Sequence, residues 1–181
     1  LGTHRWRMKS SLHSVSWPHD AWWLVVGSGG SVQVFDGGQG ERIGEPVTGL
    51  SINRVLACPG TNRLAILGSG QSRSALFLAD WKTGSILERE DGASSSALAV
   101  ARDRPMLAAY GRNEVAYYDP RTRALINRVG LPGGRLNTFA ISPDGSLLAT
   151  VPDSISEGGK ISLWSTRDGK AAGVLNCGKA R

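Results

Sequence analysis

One two-part pattern occurs four times along this chain, and nothing else in it repeats. Its first part is a short apolar run: Trp23-Leu24-Val25-Val26, Leu64-Ala65-Ile66-Leu67, Leu107-Ala108-Ala109-Tyr110 and Leu148-Ala149-Thr150-Val151. A loop follows, and then a second run that stops at a turn residue: Val32 to Asp36, Leu76 to Asp80, Val115 to Asp119 and Ile161 to Ser165. Runs this short, bounded by Gly, Pro and Asp, are strands, because a helix needs a longer periodic segment. The last copy shows the turn chemistry most fully. Pro143-Asp144-Gly145 separates Leu136–Ile141 from the run after it, and Arg167-Asp168-Gly169 closes the third run, which makes the stretch from Leu136 to Lys170 a β-meander.

The pattern resembles the blades of WD-repeat β-propellers. In that family Ser-Pro-Asp-Gly turns strand a into strand b and an aromatic followed by Asp ends strand c, as Ser142-Pro143-Asp144-Gly145, Phe35-Asp36 and Tyr118-Asp119 do here. Trp164 is followed by Ser165, so that copy keeps half of the dipeptide. The ends of the c strands, at 36, 80, 119 and 165, follow roughly the 40–45-residue period of such blades. The resemblance covers about residues 12 to 175 and implies an all-β fold: a partial propeller of four four-stranded antiparallel meander blades in one continuous domain. Residues 1–11 then form an N-terminal strand, the outer strand of a preceding blade. Residues 12–50, 51–93, 94–134 and 135–181 form blades one to four, the last with a C-terminal tail. Outer strands are expected near Arg42–Val47, Ser85–Arg89, Ala124–Val129 and Lys170–Leu175.

WD-repeat rings usually close with about seven blades, within a general range of 4–8. Four blades in an open arc expose apolar faces at both ends, so missing blades, a second copy or a partner protein is expected to cover them. At the blade-one end, Trp17, Trp22 and Trp23 are expected to be partly exposed.

Composition narrows the class further. The two cysteines, Cys58 and Cys177, belong to no Cys-x-x-Cys or Cys/His cluster, and as idle thiols they fit a reducing intracellular compartment, cytoplasmic or nuclear. The longest apolar run, Ala21 to Val26, is far below the ~18 residues of a membrane span. No signal-peptide core leads the chain. It begins at Leu1 without Met, as a processed or partial chain does.

Catalytic patterns are weak. The histidines, His4, His13 and His19, lie in the N-terminal fringe, away from any Gly-x-Ser-x-Gly elbow. Most acids are solitary turn residues, and Glu88-Arg89-Glu90-Asp91 reads as a solvated charged loop rather than a cation site. Gly27-Ser28-Gly29-Gly30 precedes a strand, so it reads as a hairpin turn rather than a phosphate loop. The family's Gly-His pair is replaced by Gly49-Leu50, Gly92-Ala93 and Gly134-Arg135, and only Asp153 approximates its b–c turn Asp. The hydrogen-bonded tetrad that links these groups to Ser/Thr and the strand-c Trp is therefore expected to be lost. No catalytic residue, metal ligand or cofactor is expected.

The net charge of +6 favours an acidic protein, a nucleic acid or an anionic surface as partner. On the blade geometry the a–b and c–d turns share one rim. Blade three places Arg102, Arg104, Arg121 and Arg123 there, against Asp103 and Asp119, and these four are the candidate partner-binding residues. Over all four blades the rim is nearly balanced. Resemblance implies a non-enzymatic scaffold that binds other proteins within a multiprotein assembly. One alternative is a ribonucleoprotein subunit binding RNA through Arg5, Trp6, Arg7 and Lys9 together with the blade-three arginines. The other is a lactonase-like or quinoprotein-like propeller enzyme, for which inward carboxylates or metal ligands at matching strand positions are wanting.

Overall fold

Apolar b strands, turn-terminated c strands and mixed outer strands assemble here as four antiparallel meanders. In the computed structural model the described residues are 11–18, 21–69, 74–91, 93–111, 113–131, 136–152 and 159–177. The first sheet takes β1 (Leu12–Ser16), β2 (Trp23–Ser28), β3 (Ser31–Asp36) and β4 (Arg42–Thr48) in chain order. The second takes β5 (Ser51–Ala57), β6 (Arg63–Ser69), β7 (Ser74–Asp80) and β8 (Ile86–Asp91). The third contains β9 (Ala93–Val100), β10 (Leu107–Gly111), β11 (Glu114–Tyr118) and β12 (Leu125–Gly130). The fourth is β13 (Leu136–Ile141), β14 (Leu147–Pro152), β15 (Lys160–Ser165) and β16 (Ala171–Asn176). No helix occurs among the described residues. The chain divides into two compact units, 1–95 and 96–181.

In the first unit the core lies between the first two sheets. Trp23, Val25, Val32, Val34 and Val47 meet Ile52, Val55, Leu64, Ile66, Phe77 and Trp81. Trp23 is 5% exposed because its ring stacks at a tilt against Trp81, with centroids 5.1 Å apart. Trp23 is thus buried, whereas Trp17 and Trp22, at 57% and 61%, are exposed as the sequence suggests. The inner strands are stitched by side chains. Ser14 Oγ donates to Val55 O and accepts from Val55 N, each at 3.1 Å, and Ser16 Oγ accepts from Ala57 N at 3.1 Å.

Ser28 and Ser31 bracket a tight β2–β3 hairpin, with Ser28 Oγ donating to Ser31 O at 3.1 Å, so the glycines between them form a turn. Glu88 to Asp91, expected as a loop, belongs to β8 instead, where Glu90 pairs with Leu76 and Asp91 with Ala75. An outer strand needs only backbone partners on one side, so charged residues do not end it.

In the second unit Ala97, Ala99, Met106, Ala108, Tyr110, Val115 and Tyr117 of the third sheet face Phe139 and Leu148 of the fourth, with Ile141 and Trp164 packed alongside. Small residues on one sheet admit large ones from the other, which is how facing sheets reach interior packing density. Burial at this level is worth about 1.5–3 kcal/mol for each large aliphatic or aromatic side chain. The b-strand positions Leu64, Leu107 and Leu148 are all essentially inaccessible.

Candidate functional site

The a–b and c–d turns of a meander lie at one end of its sheet, because antiparallel pairing sets the start of strand b beside the end of strand c. In the third sheet Leu107 pairs with Tyr118, so the Arg102–Pro105 turn and the Asp119–Ala124 turn share an edge. Two strand spacings separate the turns, about 10 Å. Arg102, Arg104, Arg121 and Arg123 are all exposed on this edge. Arg102 Nε meets Asp103 Oδ1 at 3.1 Å, an open pair of the kind that contributes little stability.

The edge continues onto the fourth sheet. Asp103 N donates to Pro143 O at 2.8 Å, joining the two a–b turns, and the Arg104 stem lies across Gly145, where a Cβ would stand 2.6 Å from Arg104 Cδ. Asn127 Nδ2 donates to Thr166 O at 3.2 Å and Arg167 O at 2.9 Å, which ties β12 to the next c–d turn. Thr166 Oγ1 donates to Gly145 O at 2.7 Å and closes that turn onto its own a–b turn.

Carboxylates on this edge are taken up by their own turns. Asp119 Oδ1 accepts from Arg121 N at 2.7 Å and Thr122 N at 3.3 Å. Asp144 Oδ1 accepts from the Ser142 hydroxyl at 2.5 Å, the Ser146 amide at 3.0 Å and the Ser146 hydroxyl at 2.9 Å. These donors, Ser142 first, hold the Asp144 carboxyl down at about 2. Ser165 and then Lys170 lower that of Asp168. In the first unit the corresponding turns carry Asp36, Glu41 and Asp80 against Lys82. The charges of these turns thus differ between the units: those described in the first are mainly acidic, and those of the third sheet in the second are mainly basic.

A second feature is apolar. Strand register puts Leu147, Ala149, Val151, Ile161, Leu163 and Leu175 on the face of the fourth sheet opposite its core, and there they are half-buried or exposed. On the first sheet the face opposite the core carries a groove of about 470 Å³ lined by Leu12, Val15, Leu24, Val26 and Phe35 among others.

Other candidates fall elsewhere. Arg5, Trp6, Arg7, Lys9, His4, His19 and Asp153 lie outside the described residues, as do Gly92, Gly134 and Arg135. Cys58 is buried, and burial pushes its thiol up to about 12, while Cys177 is exposed. Among the described residues no three His, Cys, Asp or Glu side chains gather where a metal ion could sit, and no helix is long and apolar enough to cross a membrane. One limb of the tetrad survives, contrary to expectation: Trp164 Nε1 donates to Thr150 Oγ1 at 2.8 Å. The signal for this bond is a strand-b Thr two residues beyond Leu148, which pairs with the strand-c Trp164, so that the indole reaches the hydroxyl on the diagonal.

Four four-stranded meanders of this order are the blades of a β-propeller, and the fold is all-β of that class. A solved structure with the same arrangement is the β-propeller domain of Cps50 (Swd1) from Myceliophteria thermophila, with a TM-score of 0.64 at 16% identity. The match covers 91% of this chain and 58% of that one, so this chain spans little more than half of that propeller domain's length. At such identity the likeness is one of fold. No family model and no curated protein matches the sequence.

Proposed function

We propose that this chain is a non-enzymatic, WD-repeat-like interaction platform, one portion of a larger propeller of about seven blades, working among other proteins in an intracellular assembly. The observation that carries the reading is the outward face of the fourth sheet. Leu147 and Leu175 are exposed there, with Val151, Ile161 and Leu163 half-buried beside them. A soluble protein rarely leaves such a face without a partner, since each apolar side chain kept in water forgoes burial free energy. The groove on the first sheet, along which Leu12 and Val15 are exposed, adds a second apolar surface. Likeness to a propeller domain matched over only 58% of its length supports the view that further blades or a partner chain cover these faces. Among the described residues the clearly shifted ionisable groups are Cys58, Tyr117, Asp144 and Asp168, each explained by burial or by its own turn rather than by convergence on a cleft.

Sedimentation of the purified chain over a range of concentrations tests this. Self-association is expected, with Leu163→Glu shifting the chain toward monomer without loss of its β circular dichroism, because Leu163 is only half-buried. A cooperative, well-folded wild-type monomer at every concentration would reject the reading.

A further inference from the structure

The four c–d turns share one construction, and blade three departs from it at one residue. In each turn the fifth residue returns its N–H to the carbonyl of the first: Gly40 to Asp36, Gly84 to Asp80 and Gly169 to Ser165 at 2.9 Å, and Arg123 to Asp119 at 2.8 Å. The fifth residue has a φ of 72°, 70°, 70° and 70° in Gly40, Gly84, Arg123 and Gly169. This left-handed backbone suits glycine and strains a residue with a Cβ. Blade three nevertheless carries an arginine there, exposed, so no burial offsets the strain. Strained backbone that persists on a surface points to use of the side chain.

Arg121 stands in the same turn, and Arg102 and Arg104 occupy the adjacent one on the same edge. The hydrogen bonds that cap the turns draw Asp119 and Asp144 toward their own backbones and hydroxyls. Arg104 rests its stem on Gly145 and keeps its guanidinium at the surface. The geometry points to a docking edge for an acidic stretch of a partner protein, its carboxylates taken by Arg102, Arg104, Arg121 and Arg123. Guanidinium and carboxylate match as planar, two-pronged partners. A nucleic-acid backbone fits less well. Its phosphates form a continuous negative array, and Asp103, Asp119, Asp144 and Asp168 are fixed among the positive groups, where they would repel it. Spaced carboxylates can avoid them.

This deepens the platform reading and rests on it, yet uses turn residues that are no part of the apolar faces. The test is fluorescence anisotropy of the intact chain with a labelled peptide whose glutamates are separated by Gly-Ser pairs and, separately, an oligouridylate of the same total charge. Saturable, salt-sensitive binding of the peptide is expected. Arg123→Gly should weaken it by about threefold, and its combination with Arg102→Ser, Arg104→Ser and Arg121→Ser by about tenfold or more. Arg123→Gly removes backbone strain, so it decides the matter even if the fourfold variant fails to fold. Failure of wild type to bind the peptide, unchanged affinity in both variants, or tighter binding of the oligouridylate would each overturn the assignment. None of those results would alter self-association through Leu163 and its neighbours, so the platform reading stands or falls by its own measurement.

Discussion

The indole N–H of Trp164 points across one strand pair to the hydroxyl of Thr150, 2.8 Å away, and Thr150 donates onward to Ser162 O at 3.4 Å. Thr150 is 3% exposed, so water cannot replace it. Thr150→Val keeps the shape and removes the acceptor. A loss of about 1–2 kcal/mol is expected, with Thr150→Ser retaining most of the stability. Urea midpoints of the two variants check this, and an unchanged midpoint for Val would mean that the bond contributes nothing.

Leu107, 1% exposed, fills the b-strand position shared with Leu64 and Leu148. Truncation to Ala removes its buried methyl groups and leaves a cavity among rigid sheets, at a cost of about 2–5 kcal/mol. A measured loss near zero in chemical denaturation would contradict the register in which Leu107 pairs with Tyr118.

Arg123→Gly should raise stability. Left-handed backbone costs a residue with a Cβ about 1–2 kcal/mol, and the extra freedom of glycine in the unfolded chain returns about 0.5–1 kcal/mol of that. A net gain of about 0.5–1 kcal/mol follows, visible as a higher denaturation midpoint. A drop instead would mean that the arginine's contacts outweigh the strain.

Asp144 predicts a pH dependence. Its carboxyl is held at about 2, below the ordinary 3.8, so the folded state favours the ionised form. Its contribution is present in full above about pH 4 and is lost as the pH falls through the folded value. Midpoints for wild type and Asp144→Asn should therefore differ near neutrality and converge by about pH 2. A gap that is constant across that window would assign the effect to something other than ionisation.

Repeat, strand order and rim were legible because each rests on local chemistry: apolar runs, Pro-Asp-Gly turns and a fixed spacing. Sequence also held the signal for Arg123, since four residues after Asp36, Asp80 and Ser165 comes a glycine and four after Asp119 comes an arginine. That signal acquires physical meaning only once the backbone at this position is left-handed. Sequence alone groups Trp23 with the exposed tryptophans, because its partner, Trp81, is distant along the chain and no local pattern announces their stacking. Glu88 to Asp91 resembles a loop in sequence because charge mimics a break in a strand, whereas the ladder to β7 depends on backbone groups alone. The Arg102–Arg104 and Arg121–Arg123 pairs fall on one edge as the meander pattern implies, but their tie to the next blade through Pro143 and Gly145 needed the packed sheets.

Serine stitching between β1 and β5 has a consequence for how this protein misbehaves when crowded. A bare strand edge recruits further strands and seeds fibrils. Here the amide and carbonyl of Val55 and the amide of Ala57, which point away from β6, are already held by the hydroxyls of Ser14 and Ser16. On the first sheet's far edge, Pro46 sits in the register shift of β4 and has no N–H to offer. At these two edges contact between copies is thereby diverted from backbone pairing to side-chain faces.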